Sequence, residues 1–204
     1  MGLFFVSCST TKKNSVPELS SLKGKKVALV DVDGEETARK VIEVALINQL
    51  VQRGTFILIS KQDVQQARIA PEQDPTDWKG IARRAGAEVA LRAKVVRFDA
   101  QEQTGTMTEE VYDSQLAAEQ GTDGKTQRVY RVKSLEGNVQ VQLEFTTLVP
   151  SGKVLEDPTR FALAEAQEKV VESEKNSSIH LPLRLRFLEN LANNAFKDFF
   201  ERYN

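Results

Sequence analysis

Residues 25–59 read KKVALVDVDGEETARKVIEVALINQLVQRGTFILI, and the periodicity of this stretch decides the fold class. Val27, Ala28, Leu29, Val30 and Val32 form an apolar run of strand length, the pattern of a strand buried on both faces. Asp33 and Glu36 stand at capping-box spacing, and Glu35 and Glu36 suit the positive end of a helix. Ala38, Val41, Ile42, Ala45, Leu46 and Leu50 then recur at three and four, which predicts an amphipathic helix over residues 36–53. Arg53 and Gly54 close it with a basic last turn and a glycine just past the end. Residues 55–59 are a second strand. A β-α-β unit follows, with its two strands parallel.

Working outward, residues 61–68 predict a short helix, and Thr76 is read as the cap of another whose face is Trp78, Ile81, Ala82 and Ala85. Residues 88–98 are the third strand, with Val89, Leu91, Ala93 and Val95 on one face and Arg92, Lys94 and Val96 on the other. Residues 99–127 are almost wholly polar, with Gly105, Gly121 and Gly124, and read as a long mobile excursion. Residues 128–133 and 139–149 are read as a hairpin pair turning at residues 134–138, and residues 150–153 as the start of a second hairpin. Residues 159–173 fit helix by composition and strand by the placement of Phe161 and Leu163, so both readings stay open. Pro182 sits near the start of a final helix with the stripe Leu185, Leu188, Leu191, Ala192, Ala195, Phe196 and Phe199. That stripe is expected to cover residues 27–32 and 139–145. The sum is one mixed α/β domain, residues 25–204, with a terminal helix.

Composition narrows the function. The 204 residues carry 28 basic and 29 acidic side chains, a formal charge of -1, which argues against general nucleic-acid binding. A hydrophobic fraction of 40% excludes wholesale disorder. One Cys and one His leave no internal disulfide and no ordinary zinc site, and no cofactor is expected. His180 reads as a surface residue.

The chain opens MGLFFVSC, then STTKKNSVPELSSLKG over residues 9–24. A short apolar run, the small Ser7 and then Cys8 form the end of a secretory signal, and Phe5-Val6-Ser7-Cys8 resembles a bacterial lipobox. That resemblance implies cleavage after Ser7 and lipidation of Cys8, and Ser9 implies sorting to the outer membrane. Residues 1–8 are expected to be a truncated signal and lipobox, because an h-region needs about 7–15 apolar residues. Residues 9–24 read as a linker averaging roughly 20–25 Å end to end.

Three segments carry a wider resemblance: GTFILISK at 54–61, IARRAGAEVAL at 81–91, and VQVQLEFTTLVPSGKV at 139–154. In this order behind a lipobox they resemble the CsgG/LpoB-type outer-membrane lipoproteins. The resemblance implies a three-layer domain like the TolB N-terminal or anticodon-binding fold. It implies a non-catalytic binding or assembly module of the cell envelope, facing the periplasm, held to the membrane by its lipid, with an envelope protein as partner. The family alternatives are an oligomeric subunit of a curli-like secretion complex and an activator of a peptidoglycan synthase. The partner surface is expected at the sheet edge or at residues 99–127, with Phe200 and Tyr203, off the main helix face, as contacts. An alternative of another class is a Mg²⁺-dependent phosphatase using Asp31 as nucleophile and Asp33 as acid/base.

Overall fold

The computed structural model describes residues 19–202 apart from 70–73, 75, 121–122, 150–156 and 176–178. The β-α-β opening forms where its residues place it: β1 (Lys26–Asp33), α1 (Glu36–Arg53) and β2 (Ile57–Leu58), with β2 parallel to β1 and shorter than residues 55–59 predict. Gly54 ends α1 in the left-handed region at φ 58°. Asp33 does not cap the helix. Glu35 is the N-cap, without a side-chain bond, and Asp33 remains the last residue of β1, two positions upstream. Helix α2 (Lys61–Arg68) follows, capped by Ser60, then α3 (Trp78–Arg84). The cap of α3 is Asp77, whose carboxylate accepts the Gly80 N–H at 2.9 Å, whereas Thr76 bonds to Asp74.

The second half departs further from the sequence reading. Strand β3 (Val89–Tyr112) is continuous, a seven-residue helix α4 (Ser114–Gln120) follows, and β4 (Lys125–Thr147) returns antiparallel to β3 along its whole length. The polar excursion at 99–127 is therefore the outer part of a long hairpin, held by backbone pairing and not by apolar burial. The turn expected at 134–138 does not exist. Leu135 is fully buried in the middle of β4. A Cβ at Gly137 would stand 2.5 Å from Phe187, so this glycine admits a helix above the strand and makes no turn. Residues 159–173 are strand β5 (Thr159–Ser173), antiparallel to β4. The connection at 150–156, where the second hairpin was placed, lies outside the described residues.

The sheet order is β2-β1-β3-β4-β5, parallel across β2-β1-β3 and antiparallel beyond. Helix α1 and the last helix, α5 (Arg184–Arg202), cover one face; α2 and α3 cover the parallel end of the other. Three layers result, as the resemblance implied. The larger core joins Ile42, Leu46 and Leu50 of α1 to Leu91, Leu135, Leu143 and Phe145 of the sheet and to Leu191 and Phe196 of α5. The smaller joins Ala28, Val30 and Ala90 to Val64, Ala67, Ile81 and Ala82, small strand residues that let short helices lie close. Extra residues at Val30 and Val96 shift the register of β1 and β3. Each bulge changes the parity of the strand, so Val32 and then Phe98 and Ala100 return to the core side after Leu29 and Val95.

Helix α5 packs on β4 and β5 and beside α1; α1, not α5, covers β1. Its buried stripe also gains Phe187 and Phe200, while Leu185 is 47% exposed.

Candidate functional site

Beyond α2 and α3 the second face of β3-β4-β5 meets solvent. Register and alternation put its side chains in rows across three strands: Arg92–Glu144–Phe161, Lys94–Gln142–Leu163, Arg97–Gln140–Glu165, Asp99–Asn138–Gln167 and Gln101–Glu136–Lys169. Neighbours bond both within a row and between adjacent rows. Gln140 donates to Glu165 at 3.4 Å, Gln167 donates to Glu136 at 3.1 Å, and Arg97 Nε donates to Asp99 at 2.7 Å. The last contact raises the Arg97 pKa above its ordinary value.

Strand β5 ends the sheet among the described residues. The bond from the Thr147 N–H to the Pro158 carbonyl, 3.0 Å, sets the parity of the β4–β5 ladder. In an antiparallel ladder every second residue exchanges both backbone bonds with its partner, here the even-numbered ones of β5. The odd-numbered residues, 159 to 173, direct their N–H and C=O outward. The Glu174 N–H donating to the Arg131 carbonyl keeps the same parity. Phe161 (59% exposed), Leu163 (46%) and Val171 (44%) stand along this free edge. A groove of about 1020 Å³ follows it, between residues 165–169 and Asn194, Lys197, Asp198 and Arg202 of α5.

The hairpin runs on past β5: Val132 pairs with Ser173, and residues 106–112 and 125–131 continue as a two-stranded ribbon. Lys175, just after β5, reaches back to Glu109 on this ribbon, 2.5 Å away, and lies 6.0 Å from the Tyr130 ring. Its bond to Glu109 raises the ammonium pKa. Beside it, Glu172 accepts the Leu181 N–H, which with His180 lowers the carboxyl pKa against a smaller opposing desolvation. His180 is at the surface, 3.5 Å from Glu172.

The remaining predicted residues fall elsewhere. Asp31 and Asp33 lie opposite Arg92 and Lys94 in the β1–β3 ladder. Asp31 is 3.7 Å from Arg92, which also contacts Glu144 and stacks 5.2 Å from the Trp78 ring centroid. The two aspartates thus face cations of the neighbouring strand. A cleft of about 490 Å³ opens nearby between α1 and α2, lined by Asp31, Arg39, Lys40, Glu43, Lys61 and Arg68. Most of its cations are engaged: Lys40 with Glu36, Lys61 with Glu43, and Arg68 with the Val30 carbonyl. Phe200 is not a surface contact. It is 5% exposed, 6.1 Å from the Phe56 ring centroid and 5.0 Å from that of Phe199, and belongs to the core. Ser7, Cys8 and Tyr203 lie outside the described residues.

The free edge of β5 was missed as a specific site because it depends on which strand stands next. Its one signal is alternation: Phe161, Leu163, Glu165, Gln167 and Lys169 against Ala162, Ala164 and Ala166.

No family model and no curated protein matches the sequence. Matches among solved structures include LpoB, which gives its name to the group the sequence resembles. The C-terminal domain of LpoB from Salmonella enterica is 19% identical, with 69% of this chain and 83% of that one covered and a TM-score of 0.32. The lipoprotein GNA1162 from Neisseria meningitidis is 9% identical, over 87% and 99%, at 0.37. A PelC dodecamer from Paraburkholderia phytofirmans is 15% identical, over 85% of each, at 0.32. At such identities and TM-scores the likeness carries no argument about the fold or the role of this chain, and the roles of those proteins are not carried over.

Proposed function

We propose that this chain is a non-catalytic binding and assembly module of a bacterial cell envelope, anchored through lipidated Cys8 after cleavage at Ser7. The anchor lies in the outer membrane and the domain faces the periplasm. One observation supports the binding role above the others: β5 offers fifteen residues of strand whose outward backbone groups have no partner strand among the described residues. Open edges of this length accept an added strand, with main-chain bonds giving affinity and alternate side chains giving selectivity.

The catalytic alternative draws less support, since Asp31 and Asp33 are matched by Arg92 and Lys94 across the ladder. The secretion-pore alternative meets a physical obstacle in the ribbon. A membrane-spanning barrel strand needs about 9–11 residues with one apolar face. Here one face carries Glu102, Glu110, Lys125 and Arg131, and the other Gln101, Gln103, Glu109 and Arg128. Neither face is apolar.

The anchor has a direct test. For expression in a bacterium that processes lipoproteins, a complete lipoprotein n-region and h-region is fused ahead of Leu3 to supply what the truncated signal lacks. The full chain in this fusion should incorporate labelled palmitate and fractionate with membranes, and Cys8→Ser in the same fusion should lose the label and the membrane association together. An unlabelled fusion with Cys8 intact, or a Cys8→Ser form that stays on lipid vesicles prepared without other proteins, would sink the anchor.

A further inference from the structure

We propose that a second copy of this chain occupies the free edge of β5, its own β5 added antiparallel about a two-fold axis at Ala166. This deepens the assembly reading above by naming the occupant of that edge.

The argument is one of register. The odd-numbered residues of β5 carry the outward backbone groups, and a two-fold at Ala166 pairs residues whose numbers sum to 332. Thr159 then lies opposite Ser173 of the second copy, Phe161 opposite Val171, Leu163 opposite Lys169, and Glu165 opposite Gln167. Every outward N–H and C=O from Thr159 to Ser173 finds its partner, and no end of the strand is left over. On the helix-covered face the same register sets Arg160 against Glu172, Ala162 against Val170, and Ala166 against itself.

Charge and apolarity agree with this alignment. No like charges meet, Arg160 faces a carboxylate, and the exposed Phe161 and Val171 cover one another. Neighbouring registers are poorer. A centre at Glu165 or Glu168 sets that carboxylate against its own copy. A centre at Gln167 leaves Thr159 unpaired, and it places Phe161 against Ser173 and Ala162 against Glu172. A two-fold perpendicular to the sheet also keeps both α1/α5 layers on one side and both polar faces on the other. The two copies share one continuous sheet.

The experiment uses the full chain with Cys8→Ser, so that neither lipid nor a Cys8 disulfide contributes. Sedimentation velocity from about 1 to about 100 μM, the range of a moderate self-affinity, should show a species of twice 22.8 kDa. Glu165→Pro removes an outward N–H that the β4 ladder does not use, so it should give monomer with unchanged circular dichroism. Ala166→Cys in the same background should form an intermolecular disulfide, because a non-hydrogen-bonded antiparallel pair brings Cα atoms to about 4.5 Å. Lys169→Cys should not, since the two copies' 169 positions would be separated by six residues of strand, about 20 Å. Monomer throughout the range, a dimer indifferent to Glu165→Pro, or stronger crosslinking at Gln167→Cys than at Ala166→Cys would overturn the proposal. If the chain is monomeric yet loses capture of an envelope protein on Glu165→Pro, the second copy is overturned while the binding role of the edge stands.

Discussion

At the scale of the residue, Gly137 and Asp157 show two ways in which position overrides type. Gly137, beside Asn138 and near Ser134, reads as turn chemistry; its physical role is to make room for Phe187 and Leu191, whose atoms a Cβ would meet at 2.5 and 3.2 Å. Nothing in a single sequence distinguishes a glycine that bends the chain from one that admits a neighbour. Gly137→Ala should therefore destabilise the domain by about 1–3 kcal/mol, as overpacking does, in urea melts that leave the sheet signal intact in the native state. Asp157 lies between β4 and β5, 8% exposed, 2.5 Å from Arg83, and accepting the Val149 N–H at 2.8 Å. Burial pushes its carboxyl pKa up, but the Val149 N–H with Arg83 and Lys79 outweighs burial and holds it below the ordinary value. A depressed pKa contributes stability that is present above the unfolded value, about 3.9, and lost as pH falls through the folded one. Asp157→Asn should cost about 1 kcal/mol at neutral pH, Arg83 being partly solvated, and the two proteins' melting curves should converge below about pH 4.

At the scale of the element, legibility followed burial. The first strand and α1 were read to within a residue or so because an apolar run, a 3.6-residue period and a terminal glycine all agree there. Residues 101–110 carry no apolar alternation, since β3 there is held by its ladder with β4, and pairing leaves no mark in one strand's composition. Strand β5 resembled a helix because Ala162, Ala164 and Ala166, the small side chains beneath α5, are also good helix formers. For α5 the stripe was legible and its target was not: the helix lies over β4 and β5, where Gly137 and the alanines make room. Leu191, 1% exposed, contributes to that contact from the middle of the stripe. Leu191→Ala should cost about 2–5 kcal/mol and Arg184→Ala or Asn193→Ala no more than about 0.5. Urea denaturation of the three variants reads the contrast, and equal effects would mean that α5 is not docked through this face.

At the scale of the whole molecule, the core and the projecting ribbon are separable. Buried apolar residues of β3 end at Ala100 and those of β4 begin at Leu135, so among the described residues none between Gly105 and Val132 feeds either cluster. Replacing residues 106–131 by a two-residue Asn-Gly turn between the paired Gly105 and Val132 should leave thermal stability within about 1 kcal/mol. Loss of cooperative melting would show that the ribbon holds the core together. The ribbon also has a direction. Leu22 is buried at the amino end of β1, and Arg160 at the start of β5 donates to Ser21, so the chain enters at the end of the sheet where β3 begins. From there β3 climbs 24 residues to Tyr112, roughly 75 Å at strand rise. A chain held by its amino terminus therefore carries α4 far from the point of attachment. With the anchor proposed at Cys8, the length of β3 would add to the reach of residues 9–24, and the two together would set the height at which the tip meets a partner.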